Sequence, residues 1–198
     1  MIESIPQSPL ASLNIQNNDI NYSVRLKEFT PLYIFILRVD PKDLTGLEKL
    51  ESKLKCKLPN KPNTTCSALE ENATIFWLGP NEWLVDCHIF DDDLTEVLLD
   101  KTDECHSVVV DISDSKSLIN ISGPKAVSVL EKGCTLDFDE VFSPYLSCAQ
   151  TGLGQASVLI HRLAKQNNKH YEWNIYVERS FAIYLWNWLE DAAKEYNL

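Results

Sequence analysis

Six cysteines and four histidines are the residues of this chain whose types most readily carry chemistry. Cys56, Cys66, Cys87, Cys105, Cys134 and Cys148 are even in number, but no pair has the two-residue spacing of a zinc or redox motif. The repeated dipeptides Cys87-His88 and Cys105-His106 would supply four soft donors to one metal. Adjacent residues of a strand point to opposite faces, however, so these four are not expected to converge. His161 and His170 sit in separate segments without paired spacing, and each histidine is expected as a strand or loop residue in preference to a general base.

Among the carboxylates, Asp91-Asp92-Asp93 lacks the spaced ligands and glycine of a calcium loop. It is better placed to put negative charge at the positive end of a short helix bearing Leu94, Val97 and Leu98. Asp111 interrupts an apolar strand, where burial would raise its pKa and mark a site; a partly exposed strand end explains it equally well. Thr151-Gly152-Leu153-Gly154-Gln155-Ala156-Ser157 begins like a dinucleotide fingerprint. Its third glycine position holds Ser157, and the residues beyond it read as strand, so the helix N-terminus that would face a pyrophosphate is missing and two loop glycines are the better account. A Gly-x-Ser-x-Gly elbow, a phosphate loop and a His-Glu-x-x-His pattern are also missing from the sequence. The expectation is a chain with no catalytic, cofactor-binding or metal residue of its own.

Composition points the same way. The 198 residues, 44% hydrophobic and 10% aromatic, suffice for a packed core. Against 18 basic residues stand 29 acidic ones, and a net charge of -11 repels phosphate backbones and anionic lipid, so neither nucleic acid nor membrane is expected as a partner. Met1 to Gln7 lacks a basic start followed by an apolar run, and no apolar segment is long enough to span a bilayer. A reducing cytoplasm with free thiols is expected.

The elements that would position these residues begin after a polar arm over 1–21, rich in Asn and Ser with Pro6 and Pro9, expected to be flexible or to order on a partner. Residues 22–198 read as one domain with an internal pseudo-repeat. Tyr33–Val39 is apolar on both faces and predicts a buried strand; Asp40 as N-cap and Pro41 start a helix with Leu44, Leu47, Leu50 and Leu54 inward. A surface loop over 57–72 leads to a hairpin, Ile75–Leu78 and Trp83–Asp86, around Gly79-Pro80-Asn81-Glu82.

Val108–Ser113, a turn at Asp114-Ser115-Lys116 and a second strand from Ser117 come next. A short helix starts at Pro124, with Ala126, Val127 and Leu130 on one face, Lys132 complementing its dipole and Gly133 as a left-handed cap. After a loop with Pro144, strands are predicted over 156–162 and 171–177. The order strand, helix, strands repeats, so an α+β fold with two similar halves of antiparallel sheet is predicted over a doubly wound parallel sheet. The last helix, about Ser180 to Tyr196, places Phe181, Leu185, Trp188, Leu189, Ala192 and Tyr196 inward. Ile183 and Trp186 then face outward as a candidate partner interface; the alternative puts Trp186 flat under a loop.

Several of these segments, taken in order, resemble the gamma subunit family of heterotetrameric sarcosine oxidase. The pieces are Trp77–Leu84, Val110–Asp114, Ile121–Ala126 with Leu130–Cys134, Cys148–Thr151, and Val177–Ala182 with Leu185–Leu189. Each is weak alone; the ordered set, closing on Arg179-Ser180-Phe181 and two tryptophans, is specific. The resemblance implies a fold like the folate-binding domain of aminomethyltransferases, in a cytoplasmic complex with alpha, beta and small delta subunits. That complex oxidatively demethylates sarcosine to glycine, passes the one-carbon unit to tetrahydrofolate or releases it as formaldehyde, and reduces oxygen to hydrogen peroxide. FAD, FMN, NAD and tetrahydrofolate are implied for the larger subunits, and no catalytic residue for this chain. The polar insert Lys165–Lys169 departs from the family pattern and leaves open a related N-methyl amino acid as substrate. A free-standing folate-binding or aminomethyltransferase-like protein and a regulatory interaction module are the alternatives.

Overall fold

The computed structural model describes residues 7–13, 23–30, 33–40, 42–88, 107–138, 146–163 and 172–197. The helix expected at Asp91–Leu98, the Cys105-His106 dipeptide, Pro144, His170, the insert 165–169 and most of the N-terminal arm lie outside them. The described residues form two compact units: one from the chain up to Thr30, Ser115 to Tyr145 and Ala149 onward, the other from Pro31 to Asp114 with Leu146–Cys148.

The second unit is organised on the apolar strand predicted at its start. Strand β2 (Tyr33–Val39, after β1, Arg25–Phe29, which belongs to the first unit) lies inside a five-stranded sheet of order β3-β4-β5-β2-β6, with β3 Thr65–Ala68, β4 Ala73–Gly79, β5 Glu82–Cys87 and β6 Ser107–Asp111. All its registered pairs are antiparallel. The predicted hairpin is β4–β5, with a bulge between Trp77 and Gly79 and Pro80-Asn81 as the loop. Strand β3 was hidden inside the expected surface loop. Its Thr-Cys-Ser-Ala sequence has too little apolar character to show alone, and it forms by pairing with β4. The rest of that loop is tethered by the Trp83 indole, which donates to the Pro59 carbonyl at 2.8 Å.

Helix α1 (Leu44–Leu54) packs Leu50 and Leu54 against Phe35, Leu37, Ile75 and Val85. Its cap is Asp43, whose Oδ1 accepts from Gly46 N at 2.9 Å; Asp40, expected in that role, instead accepts from Lys42 N in the preceding turn. With Gly46 inward, Leu44 stands roughly 100° round the axis from the buried stripe and is 67% exposed, correcting its assignment to the core.

The first unit holds a sheet of order β1-β7-β10-β9-β8, with β7 Lys116–Ser122, β8 Cys148–Leu153, β9 Ala156–Arg162 and β10 Glu172–Glu178. Both sheets share one plan: a three-strand meander, then the strand that opened the unit's helix, then an outer strand. These are the two similar halves of the predicted α+β fold. Helix α2 (Ala126–Leu130) follows β7 as α1 follows β2, and helix α3 (Ala182–Ala193) follows β10.

One face of the first sheet, with Ile119, Ile121, Trp173, Ile175 and Val177, packs with Val129, Leu130, Leu185, Trp186 and Leu189 into one core. Part of the expected flexible arm belongs to it. Leu10 is fully buried there, Ser8 Oγ bonds the Glu28 carboxylate, and Arg179 donates to the Gln7 carbonyl, so 7–13 is packed chain.

Gly133 is not the left-handed cap expected; the glycines of this unit with positive φ are Gly123 and Gly154. Gly123 has φ +118°, a Cβ there would lie 2.4 Å from the Ser23 carbonyl oxygen, and the next turn is tied to the same carbonyl through Lys125 N at 3.1 Å. Gly123→Ala should therefore cost about 1–3 kcal/mol, measured as the shift in urea-unfolding free energy of the full chain. An unchanged midpoint and slope would show that the turn tolerates a side chain.

Candidate functional site

The residues singled out for chemistry are distributed by the fold, not gathered. Cys87 is buried at the end of β5, and its thiol is pushed up to about 12, first by burial and then by the neighbouring Asp86 carboxylate. His88, next to it, is exposed: its ring lies between Thr74 Oγ1 at 3.0 Å and the Glu71 carbonyl at 3.1 Å, pinning the β3–β4 turn. The two therefore diverge, as strand alternation requires. His161 is buried on β9 in the other unit. Asp111 is exposed, and its Oδ1 accepts from Ser113 N at 2.9 Å and Ser113 Oγ at 2.6 Å; the strand-end reading is the correct one. Gly152 belongs to β8 and Gly154 to the turn into β9, so no helix N-terminus follows them. Among the described residues no group of three or more His, Cys, Asp or Glu side chains could hold a metal ion.

Two groupings escaped sequence reading. Cys56 and Cys66, ten positions apart, bring their sulfur atoms to 3.4 Å. On the face of the first sheet opposite the α3 core, the Asn120 side-chain amide donates to Glu172 Oε1 at 3.0 Å and Asn174 Oδ1 at 2.9 Å, using both of its N–H groups. An asparagine in the middle of the apolar Leu118–Ile121 run is the sequence signal for this cluster. Asn120 is buried, and its network is satisfied within the sheet.

The outward chemistry of the first unit sits on α3. A 3-10 turn, Arg179–Phe181, precedes it, so Phe181 lies outside the α-helical period that the buried stripe follows. The buried face is Ala182, Leu185, Trp186, Leu189 and Ala193, with Trp188, Ala192 and Tyr196 only partly buried. Two expectations are corrected. Trp186 is 3% exposed and part of the core, whereas Phe181, expected inward, is 45% exposed. Ile183, at 43% exposure, stays outward as expected.

Exposed side chains here are Phe181, Ile183 and Tyr184; the Phe181 and Tyr184 rings meet edge to face at 6.5 Å, and the Tyr184 hydroxyl accepts from Gln155 N at 3.1 Å. Lys132 does not serve its own helix. It donates to the Ala192 carbonyl near the end of α3 at 2.5 Å, pairs with Glu195, and lies 4.7 Å over the Tyr196 ring. Its ammonium holds the Glu195 carboxyl below the usual carboxylate range, helped by the Tyr196 hydroxyl.

Comparison with known proteins gives a consistent result. The sarcosine oxidase, gamma subunit family matches residues 51–195. Sarcosine oxidase subunit gamma of Corynebacterium sp. (strain P-1) is 30% identical over 152 residues, covering 76% of this chain and 71% of that protein. The same subunit of Corynebacterium sp. (strain U-96) is 28% identical over 123 residues, covering 62% of this chain and 57% of that protein. A chain in the structure of heterotetrameric sarcosine oxidase from Corynebacterium sp. U-96, in complex with pyrrole 2-carboxylate, is similar with a TM-score of 0.77 at 25% identity. That match covers 97% of this chain and 96% of the other. The glycine cleavage system aminomethyltransferase T from Bartonella henselae shares the fold, with a TM-score of 0.64 at 14% identity over 85% of this chain but only 45% of its own.

The reassigned helix face has a direct consequence for stability. Trp186→Ala empties a core position and should destabilise the chain by about 3–5 kcal/mol, whereas Ile183→Asp should change stability by no more than about 0.5 kcal/mol. Equal unfolding midpoints for the two variants in denaturant titrations would contradict the assignment of Trp186 to the core.

Proposed function

This chain belongs to the sarcosine oxidase gamma subunit family, and we propose that its task within such a complex is assembly and support, with the chemistry carried by larger subunits. As a member of that family it is a subunit of an oxidoreductase, sarcosine oxidase. The complex would convert sarcosine and oxygen, with tetrahydrofolate or water, to glycine, methylene-tetrahydrofolate or formaldehyde, and hydrogen peroxide. The observation that carries the reading is the near end-to-end match with one chain of a heterotetrameric sarcosine oxidase. The aminomethyltransferase, by contrast, is matched over less than half of its length.

Alpha, beta and small delta subunits are the proposed partners, with FAD, FMN, NAD and tetrahydrofolate held on the larger ones and the cytoplasm as the compartment. For a dinucleotide the residues here do not fit, because Gly152 and Gly154 run from strand through turn into strand, leaving no amide-lined helix start for a pyrophosphate. Among the described residues no helix is long and apolar enough to cross a membrane. We further read 22–198 as one domain of two similar halves, with residues 7–13 of the 1–21 arm packed onto the core of its first unit. Within it Ile183 stands, with Phe181 and Tyr184, as the contact for a larger subunit. Trp186 backs that surface from inside the core.

Co-expression of the chain with the flavoprotein subunits tests the reading. It should co-elute with them on gel filtration, and Ile183→Asp should weaken that association by roughly tenfold or more, the effect of an unpaired charge in an apolar contact, with an unchanged melting temperature. Unaltered co-elution of the variant would reject the contact. Failure of the native chain to co-elute, combined with tight tetrahydrofolate binding by the isolated chain in calorimetry, would instead favour a free-standing folate-binding protein.

A further inference from the structure

We propose that Cys56 and Cys66 form a peroxide-oxidisable dithiol that closes an internal disulfide between the end of α1 and strand β3. The geometry is set by backbone on both sides. Lys55 caps α1 in the left-handed conformation at φ 53°, and the N–H of Cys56 returns to the Glu51 carbonyl at 3.2 Å, which fixes where the Cys56 side chain leaves the chain. Cys66 sits in β3 opposite Ile75 of β4. The two elements are joined again just beyond, where Leu69 N donates to the Leu54 carbonyl at 3.0 Å and Lys55 pairs with Glu70 at 2.5 Å. The sulfur atoms are 3.4 Å apart, so only a small side-chain adjustment separates contact from a bond of about 2.05 Å.

Both thiols are partly exposed, which distinguishes them from Cys87, Cys134 and Cys148, all buried. In Cys87 and Cys148 burial pushes the thiol up to about 12, far from a reactive thiolate. The Cys66 thiol donates to the Cys56 sulfur. This bond holds the Cys56 thiol below its ordinary value, against partial burial and the Glu51 carboxylate, and raises that of Cys66. The pair is thus unequal, with Cys56 the attacking sulfur and Cys66 the resolving one. A metal reading is weaker: two sulfurs are half of a structural zinc set, and Glu51 nearby is already engaged by Lys57 Nζ at 2.5 Å and Leu58 N at 3.0 Å.

The chemistry balances with hydrogen peroxide as oxidant. The Cys56 thiolate attacks one peroxide oxygen; the S–O bond forms as the O–O bond breaks, hydroxide leaves and takes up a proton as water, and sulfur is oxidised to the sulfenic acid. The Cys66 sulfur, giving up its proton, then attacks the Cys56 sulfur; the S–S bond forms, the S–O bond breaks, and a second water leaves. Two thiols and one peroxide become one disulfide and two waters. Only the source of peroxide, the product of the proposed oxidase, rests on the functional reading above; the thiol geometry does not.

The test uses the isolated full-length chain with added hydrogen peroxide, followed by alkylation in denaturant and peptide mapping. The expected result is loss of two of the six alkylatable thiols and a peptide linking residues 56 and 66. In Cys66→Ser the linked peptide should vanish while dimedone traps a sulfenic acid at Cys56, and in Cys56→Ser neither product should form. A parallel melting curve for each variant checks that the fold is retained. Six thiols still open to alkylation after peroxide, or a bridge joining any other pair, would overturn the proposal whether or not the chain assembles with an oxidase.

Discussion

A tryptophan ring laid across a glycine fixes how the last helix sits on its sheet. A Cβ at Gly133 would lie 2.4 Å from the Trp188 ring, and one at Gly154 would lie 2.8 Å from the Tyr184 hydroxyl. Gly154 N also donates to the Gly133 carbonyl at 2.9 Å, so both glycines belong to one tight contact under α3. No other residue leaves room for the ring at that depth. Once Trp188 is seated there, the helix cannot rotate: Leu185, Trp186 and Leu189 must enter the core, and Phe181, Ile183 and Tyr184 must leave it. The identity of the outward surface is thus a consequence of two missing side chains on other elements.

Local constraint governs the second unit as well. Its strands are apolar enough to pair, but the connection from β3 to β4 is built from Leu69, Glu70 and Glu71, three successive non-glycine residues at φ 53°, 57° and 73°. Each left-handed residue of this kind costs on the order of 1 kcal/mol. The neighbours offset that cost: the Leu69 N–H is satisfied by the end of α1, the Glu71 carbonyl by His88, and Glu70 by Lys55. This turn and the end of α1 therefore hold each other, which brings Cys56 and Cys66 within reach.

Much of the fold could be read from residue order because it is written in local pattern. The apolar run Tyr33–Val39, the Gly79–Glu82 hairpin and the strands around Val158 and Ile175 all announce themselves through β-branched and aromatic density. The features that escaped were decided at a distance. Strand β3 carries no apolar signature and exists because β4 offers a free edge. Asp43 overtakes Asp40 as cap because the helix starts one turn later, with Gly46 inward. Trp186 looked external because the period was counted through Phe181, which belongs to a 3-10 turn. The Cys56–Cys66 approach depends on a left-handed residue, Lys55, that has no glycine to advertise it.

The polar groups inside the first unit show why burial and reactivity should be kept apart. Asn120 is a buried polar side chain in the centre of a sheet, the setting in which a binding site is commonly sought. Its two N–H groups are spent on Glu172 and Asn174, neighbours across the same ladder, so it stabilises the register of β7 and β10 and has no donor left for a ligand. A one-residue slip of β10 would leave those donors unpaired and turn Trp173 and Ile175 away from the core, a double cost that locks the pairing. With that network closed on itself, the groups in described chain that still face outward with unspent capacity are of another kind. They include exposed apolar side chains, Phe181, Ile183 and Tyr184 at α3 and Val108 and Val110 on the edge strand β6, suited to a protein surface, and a pair of thiols, suited to an oxidant.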